Sequence, residues 1–350
     1  MREFLIPIST FYAIALKIRH KMFDWGILRT RSISVPSICV GNLELGGTGK
    51  TPLTEYVTKM LMDDRKVAIV SGGYKRKSKE IVIANSGTSL DELGDEPMQY
   101  HCKFGDRISV AVGKDRVNVI ERLLKKTSPD VIILDDAFQH RKISAGLNIL
   151  TTNYLNPFYN NHLVPVGTLR DLKCRAKAAD IIIINKTPDE ASEEEKDKIR
   201  ENLRQYGQQN IYFASLAYGK PIACNAKAEN TDLQLNSKIT ALCGIAQPEY
   251  FITHLGENYD IAQKLIFSDH HDFNENDIEK MKKASKEGKI IVTTEKDAMR
   301  LTNNHYFSTL KEIPVYYIPI EVRFSDEEAS QLRKEIFDYV ADDKRSGSVS

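Results

Sequence analysis

The chain has 350 residues, 41% hydrophobic and 28% charged, which excludes global disorder and fits two folded domains at about 100–200 residues each. Forty-nine Lys and Arg against 48 Asp and Glu leave a net charge of +1, excluding a nucleic-acid binder that is basic over its whole surface. No apolar run reaches the ~20 residues of a membrane-spanning helix. The five cysteines include no C-x-x-C pair, so neither a disulfide framework nor a zinc site is expected, and a reducing compartment fits.

Residues 4–23 carry Leu5, Ile8, Tyr12, Ala15 and Leu16 at helical spacing. Up to Val35, Arg2, Lys17, Arg19, Lys21, Arg29 and Arg31 stand against only Glu3 and Asp24. The charge follows the apolar stretch, the reverse of a cleaved signal peptide. Two readings stand: a helix lying on an anionic membrane surface, or a helix packed on the domain.

Short β-rich runs then recur at 37–40, 66–71, 81–84, 108–112, 131–134, 147–150 and 181–184. Several are apolar on consecutive residues, as strands buried on both faces of a parallel sheet are. A polar helix is predicted over 190–206 and a connector, in part a β-ribbon, over 207–237. A second set follows: strands at 239–243, 265–267, 290–294 and 315–318, with helices at 248–255, 275–287 and 326–340. The pattern predicts two α/β units, with residues 36–206 forming the first, 207–238 a linker, 239–341 the second and 342–350 a frayed tail.

The strongest signal is Val40-Gly41-Asn42-Leu43-Glu44-Leu45-Gly46-Gly47-Thr48-Gly49-Lys50-Thr51-Pro52, between a β-run and a helical pattern. Gly46, Gly47 and Gly49 let the backbone turn its N–H groups onto phosphate, at a helix N-terminus that adds partial positive charge. Lys50 is placed to reach the β- and γ-phosphates, and the Thr51 hydroxyl to ligate Mg²⁺. Glu44 stands where the first glycine of G-x-x-x-x-G-K-[ST] falls. Val131–Leu134 then delivers Asp135 and Asp136 to the end of a buried strand, where Asp135 is a candidate for the Mg²⁺ shell.

The remaining polar clusters are ambiguous by themselves. Gly94-Asp95-Glu96-Pro97 reads as a helix cap with proline in the first turn, or as a carboxylate that takes a proton from an attacking hydroxyl. Asp269-His270-His271 reads as surface or capping residues, or as a histidine orienting a carboxylate. Arg170, after Gly167, is a surface arginine or a phosphate ligand. Basic groups at 74–77, 114–116 and 138–141 fit solvated faces.

Taken in order, V-G-N-L-x-x-G-G-T-G-K-T-P, S-x-G-Y, G-D-E-P, D-D-x-F-Q-H, G-x-L-R, D-H-H and T-E-K-D resemble the tetraacyldisaccharide 4′-kinase family, from the N-terminal helix to about residue 300. The resemblance implies transfer of the ATP γ-phosphate to the 4′-hydroxyl of an acylated disaccharide 1-phosphate, a lipid A precursor, at the cytoplasmic face of the bacterial inner membrane. It implies a P-loop-type, mostly parallel sheet flanked by helices, with a smaller α/β domain joined by a two-stranded linker, and it turns the N-terminal helix into a peripheral membrane anchor.

Carried over by motif, Gly46, Gly47, Thr48, Gly49, Lys50 and Thr51 cradle ATP, and Thr51 with Asp135 serves Mg²⁺. Asp95 becomes the candidate general base and His270 its partner. Asn42, Tyr74, Glu96, Asp136, His140 and Arg170 line the site. The family's Ser-Arg-Gly-Tyr is here Ser71-Gly72-Gly73-Tyr74, so Lys75 or Arg76 is expected to replace the missing arginine; its Asp-Asp-Gly is here Asp135-Asp136-Ala137. No protein or nucleic-acid partner is expected.

Three alternatives carry their own signatures. A P-loop GTPase or ATPase maturation factor would show N-K-x-D, and Asn185-Lys186-Thr187-Pro188-Asp189 has its acid one residue late. A metal phosphoesterase would use Asp269, His270 and His271 as ligands. A non-catalytic membrane-associated nucleotide-binding protein would leave ATP unconsumed.

Overall fold

The structure, a computed structural model, describes residues 2–347; Met1 and residues 348–350 lie outside it. Two sheets organise it. The larger has nine strands, in spatial order Ile320–Arg323, Asn210–Tyr218, Ile181–Asn185, Leu147–Asn153, Ser37–Gly41, Val131–Asp135, Val67–Ser71, Ile108–Val112 and Val82–Ile83. The seven central strands run parallel, and each end strand pairs antiparallel. The consecutive apolar runs sit here because helices cover both faces. On one face pack Leu53, Val57 and Leu61 of helix Lys50–Leu61 and Tyr100 and Phe104 of helix Asp95–Phe104. On the other pack Val119 and Leu123 of helix Arg116–Thr127 and Ile199 and Leu203 of helix Glu193–Arg204.

The second sheet has five strands, in spatial order Ile222–Ala223, Val315–Ile318, Ile290–Thr294, Lys238–Cys243 and Asp260–Ile266. All its pairings but the first are parallel. Helices Pro248–Asn258, Glu275–Gly288 and Glu295–Thr302 accompany it. Its core divides between the faces, with Phe251 and Leu255 on one and Ile278, Met281 and Leu301 on the other.

The joint differs from the expected linker in two ways. Asn210–Tyr218, inside the expected connector, is a nine-residue strand of the first sheet. Residues 210–214 pair with Ile181–Asn185, and Ser215–Tyr218 pair with Ile320–Arg323. The connection is thus two-stranded, but its second strand comes from the far end of the chain. The last helix, Asp326–Gly347, then returns to the first domain, burying Leu332, Ile336 and Val340 in that core. Residues 320–341 therefore pack with the first unit, because their apolar stripe matches the face beside the P-loop helix. The expected tail continues this helix through Gly347.

Helix Ile6–Asp24 lies on the first domain with Leu16, His20 and Phe23 buried. His20 Nε2 lies 2.6 Å from buried Asp171, and the Tyr12 hydroxyl donates to the Arg170 carbonyl at 2.9 Å. Phe4, Ile8, Phe11 and Ile18 point outward and are exposed by 55–87%. No helix among the described residues is long and apolar enough to cross a membrane.

Candidate active site

Strand Ser37–Gly41 feeds the glycine-rich loop, and Gly46, Gly47 and Gly49 take φ of 68°, 66° and 78°, which side chains disfavour. A Cβ at Gly49 would meet the Asn185 amide at 2.8 Å, so close approach also demands glycine there. Asn42 Nδ2 donates to Thr48 Oγ1 at 2.7 Å, and Asn185 Nδ2 donates to the Thr48 carbonyl at 2.8 Å. The loop is thus braced from two strand ends, at the N-terminus of the Lys50–Leu61 helix, the end of a helix that favours an anion. Glu44 is buried and accepts from Thr152 and Asn161 at 3.1 Å each. Its departure from the motif is a structural tie. Asp189 is exposed.

The adjacent strand ends at Asp135, whose carboxyl is pushed up to about 7 by burial and by the charges of Asp136 and Glu96. Asp136 turns out of the strand with φ 51°. It accepts from both terminal nitrogens of Arg170, at 2.9 Å for Nη1, and stands 3.7 Å from Lys50 Nζ. Burial opposes its ionisation, but Lys50 and Arg170 outweigh burial and hold the carboxyl well below the usual range. Burial lowers Lys50, with Asp136 opposing. Arg170 also donates to Asn42 Oδ1, tying this cluster to the loop.

The glycine at position 72 has a different consequence from the one expected. Arg116 Nη2 donates to the Asp136 carbonyl at 3.1 Å, and it lies 2.8 Å from where a Cβ at residue 72 would stand. Arg116, rather than Lys75 or Arg76, brings its guanidinium there; Arg76 donates to the Glu92 carbonyl at 3.2 Å. His140 Nδ1 lies 3.5 Å from Arg116, and burial, reinforced by that cation, lowers the imidazole to about 4, so it is neutral.

The second cluster spans the two domains. Asp95 opens helix Asp95–Phe104 after Gly94, and its side chain points to the second domain rather than capping the helix. Asp95 Oδ2 lies 2.7 Å from His270 Nδ1. Arg300 Nε donates to Asp95 Oδ1 at 2.8 Å, and its Nη2 to Oδ2. Burial works against ionisation of Asp95, but hydrogen bonds from Arg300 and His270 and their charges hold it well below the ordinary carboxylate range.

Lys296 Nζ lies 3.0 Å from His270 Nε2. An ammonium only donates, so Nε2 is the acceptor there, while Nδ1 faces both the Asp95 carboxylate and, at 2.7 Å, Arg300 Nη2. Lys296 also meets Glu96 and Asp269 at 3.3 Å each. His270 has φ 59°, a sparsely populated conformation for a side-chain-bearing residue. Tyr74 is exposed and presents its ring edge-on to His270 at 5.5 Å.

Asp269, His270 and His271 diverge: His271 pairs with Asp277 at 2.7 Å, while the other two face Lys296 and Asp95. Among the described residues no group of three or more His, Cys, Asp or Glu is placed to hold a metal ion. Glu96 joins the two clusters, since its charge bears on both Lys50 and Asp135 while it contacts Lys296.

Three participants were not expected from sequence: Arg116, Lys296 and Arg300. The last two stand on helix Glu295–Thr302, whose start is legible after the fact. Thr294 caps it, accepting from the Asp297 N–H at 3.1 Å, in a T-x-x-D pattern.

Residues 1–337 match the family model for tetraacyldisaccharide-1-P 4′-kinase (LpxK). The tetraacyldisaccharide 4′-kinase of Flavobacterium psychrophilum is 40% identical, with 99% of each chain covered. That of Bacteroides thetaiotaomicron is 38% identical, covering all of this chain and 96% of its own. Among solved structures, LpxK from Aquifex aeolicus in complex with ATP superposes with a TM-score of 0.74 at 28% identity, over 97% of this chain and 99% of that one. With the loop, the acidic strand end and the motif order already in place, the chain belongs to the tetraacyldisaccharide-1-P 4′-kinase family.

Proposed function

We propose that this chain, an ATP-dependent kinase that phosphorylates the 4′-hydroxyl of a lipid A precursor, uses Asp95 as the base that receives the hydroxyl proton. The acceptor is tetraacyldisaccharide 1-phosphate and the product lipid IVA. Gly46, Gly47, Thr48, Gly49 and Lys50 hold the triphosphate through backbone N–H groups and the lysine ammonium. Arg170 fixes Asp136, and Asp136 with Asn42 orients Lys50 and the loop. As the 4′-oxygen bonds to the γ-phosphorus, the bond to the β,γ-bridging oxygen breaks, ADP departs and the hydroxyl proton passes to Asp95. A carboxylate held so far below its usual range is a weak base. It suits a loose transition state, in which the attacking oxygen gives up its proton late and positioning matters most.

His270 holds Asp95 through Nδ1, and Lys296 holds His270. Because His270, Lys296 and Arg300 belong to the second domain, the site is complete only with the domains together, which excludes water from the phosphoryl group. Thr51 and Asp135 fit a Mg²⁺ ion. Asp135 is buried beside a second carboxylate with its ionisation opposed, and a hydroxyl plus one carboxylate is the protein share of an ion otherwise held by phosphate oxygens. Bound with ATP, the ion would neutralise phosphate charge. Asn42 and Arg170 belong to the phosphate-loop cluster, Glu96 meets Lys296, Tyr74 stands beside His270 and His140 beside Arg116.

The outward apolar stripe of the N-terminal helix, with Lys17, Arg19 and Lys21 near its end, supports a peripheral seat on the cytoplasmic face of the inner membrane, where such an acceptor is presented. The observation that carries the catalytic reading is Glu96, through which the phosphate-loop cluster and the Asp95–His270 cluster share one site. The test is ATP plus acylated disaccharide 1-phosphate with mass analysis of the lipid, for the natural chain, Asp95→Ala and His270→Ala. A mass gain of one phosphate that both variants abolish is the expected result; near-normal rates in both folded variants would remove the dyad.

A further inference from the structure

Two turns beyond Asp95 on the same helix stands a second ionic contact that the chemistry above does not use. Asp95, Gln99 and Lys103 lie four residues apart along one stripe of helix Asp95–Phe104. Lys103 Nζ donates to Glu55 Oε2 at 2.6 Å, and to Glu295 Oε1 and Oε2 at 2.9 and 3.1 Å. Gln99 Nε2 donates to the other Glu55 oxygen at 2.8 Å. Both carboxylates are buried, and the lysine is nearly so.

Three helices meet at this one ammonium. Glu55 belongs to the helix that begins at Lys50, Lys103 to the helix that begins at Asp95, and Glu295 to the second-domain helix that carries Lys296 and Arg300. The pairings run in opposite senses. Asp95, at the start of its helix, meets Arg300 near the end of the other, while Lys103, near the end, meets Glu295 at the start. The two helices thus lie antiparallel across the domain boundary with acid on base at one end and base on acid at the other. Sliding either helix by a turn breaks both contacts and leaves buried charge uncompensated, a large penalty. Two carboxylates facing one ammonium do not make a strong stabilising contact, since an apolar replacement of similar volume can be as stable; what such a group supplies is register.

We propose that Lys103 is a positioning residue for phosphoryl transfer: by bridging Glu55 and Glu295 it sets the register between the phosphate-loop helix, the Asp95 helix and the second domain, and so fixes Lys50 relative to the Asp95–His270–Arg300 group. The inference rests on Asp95 as the base. Asp95→Asn, run alongside, separates the two ideas: normal turnover in that variant removes the base assignment whatever Lys103 does.

The experiment compares the natural chain with Lys103→Met and Glu295→Gln. It measures kcat at saturating ATP and lipid, the dissociation constant of a fluorescent ATP analogue, and the thermal midpoint. Lys103→Met is expected to lose at least tenfold in kcat and Glu295→Gln at least threefold, with analogue affinity within twofold of the natural chain, since the loop itself is braced by Asn42 and Asn185. Should Lys103→Met fail to fold, Glu295→Gln, which conserves volume, carries the same test. A kcat within twofold of the natural chain in the folded variants overturns the proposal. So does a parallel loss of kcat and analogue affinity with a lowered midpoint, which marks a structural role only.

Discussion

His270 Nδ1 sits 2.7 Å from Asp95 Oδ2, although 175 positions separate the two residues and they belong to different domains. The contact exists only because helix Glu295–Thr302 supports both partners, Arg300 on Asp95 and Lys296 on His270. The Asp95–His270 pair is therefore assembled by domain packing rather than by local chain geometry. An opened joint would separate the carboxylate from its imidazole, so the proposed role of Asp95 requires the domains to be closed.

Arg300 leads the groups that hold Asp95 ionised against its burial. Burial alone would raise that carboxyl, and the hydrogen bonds and charges of Arg300 and His270 reverse the sign. A depressed group stays ionised, and active as an acceptor, until the pH falls through its low value. In Arg300→Met, burial regains weight, Asp95 binds its proton at higher pH, and the acid limb of kcat/KM moves toward neutrality by at least one pH unit. Profiles from pH 4.5 to 8 for both proteins check this. Superimposable acid limbs would show that Arg300 does not govern the base.

At the other cluster, Arg170 is the hinge between Asp136 and Asn42, donating to both. Without it Asp136 keeps Lys50 as a counter-charge at 3.7 Å but loses the fork that fixes its rotamer. Arg170→Met is expected to lower kcat on the order of 100-fold, the scale for removing one preorganised charge-stabilising donor. Arg170→Lys should recover little, because an ammonium cannot grip a carboxylate in two places at once. Steady-state kinetics of the two variants decide it; full recovery by lysine would show that only the charge matters.

Much of this was legible in the chain itself. The apolar runs ending at Gly41 and Asp135 announce parallel strands that deliver the glycine-rich loop and the paired carboxylates to one edge, and the loop glycines occupy the positive-φ positions their spacing suggests. What stayed hidden depends on distance in sequence. Asn210–Tyr218 reads as connector because its second half is half-buried and pairs with a strand a hundred residues later. Helix Asp326–Gly347 reads as part of the second domain because only its packing shows which core its stripe meets. Gly72 reads as a lost arginine, whereas the space it frees is filled by Arg116. Lys296, within the T-E-K-D motif, and Arg300 receive no role from the sequence, because no single-sequence pattern shows that Asp95 faces them.

The N-terminal helix divides its labour by face. His20, Tyr12 and Arg19 bond to Asp171, the Arg170 carbonyl and the Gln139 carbonyl, so the inward face is fixed to the loops of the site. Phe11 and Ile18 on the outward face touch nothing that would explain their exposure of 74% and 58%. Phe11→Glu with Ile18→Glu should abolish flotation with anionic vesicles while leaving the thermal midpoint within about 2 °C, as surface changes do. Turnover of detergent-dispersed lipid should persist. Retained flotation would place the membrane contact elsewhere on the protein.

The C-terminal helix offers a stability test of the domain division. Leu332 is fully buried in the core shared with Leu53 and Val57 of the phosphate-loop helix, and Tyr339 receives the Ser37 N–H at 2.9 Å beside the central strand. Truncating Leu332 to alanine removes three buried carbons and leaves a cavity against a helix that can relax only in part. The cost is about 2–5 kcal/mol. Because this core is the one on which the nucleotide site is built, the loss should appear in the unfolding transition that bound ATP analogue shifts upward. Urea unfolding with and without the analogue reads both effects. A Leu332→Ala loss confined to a transition that the analogue leaves in place would assign the helix to the second domain instead.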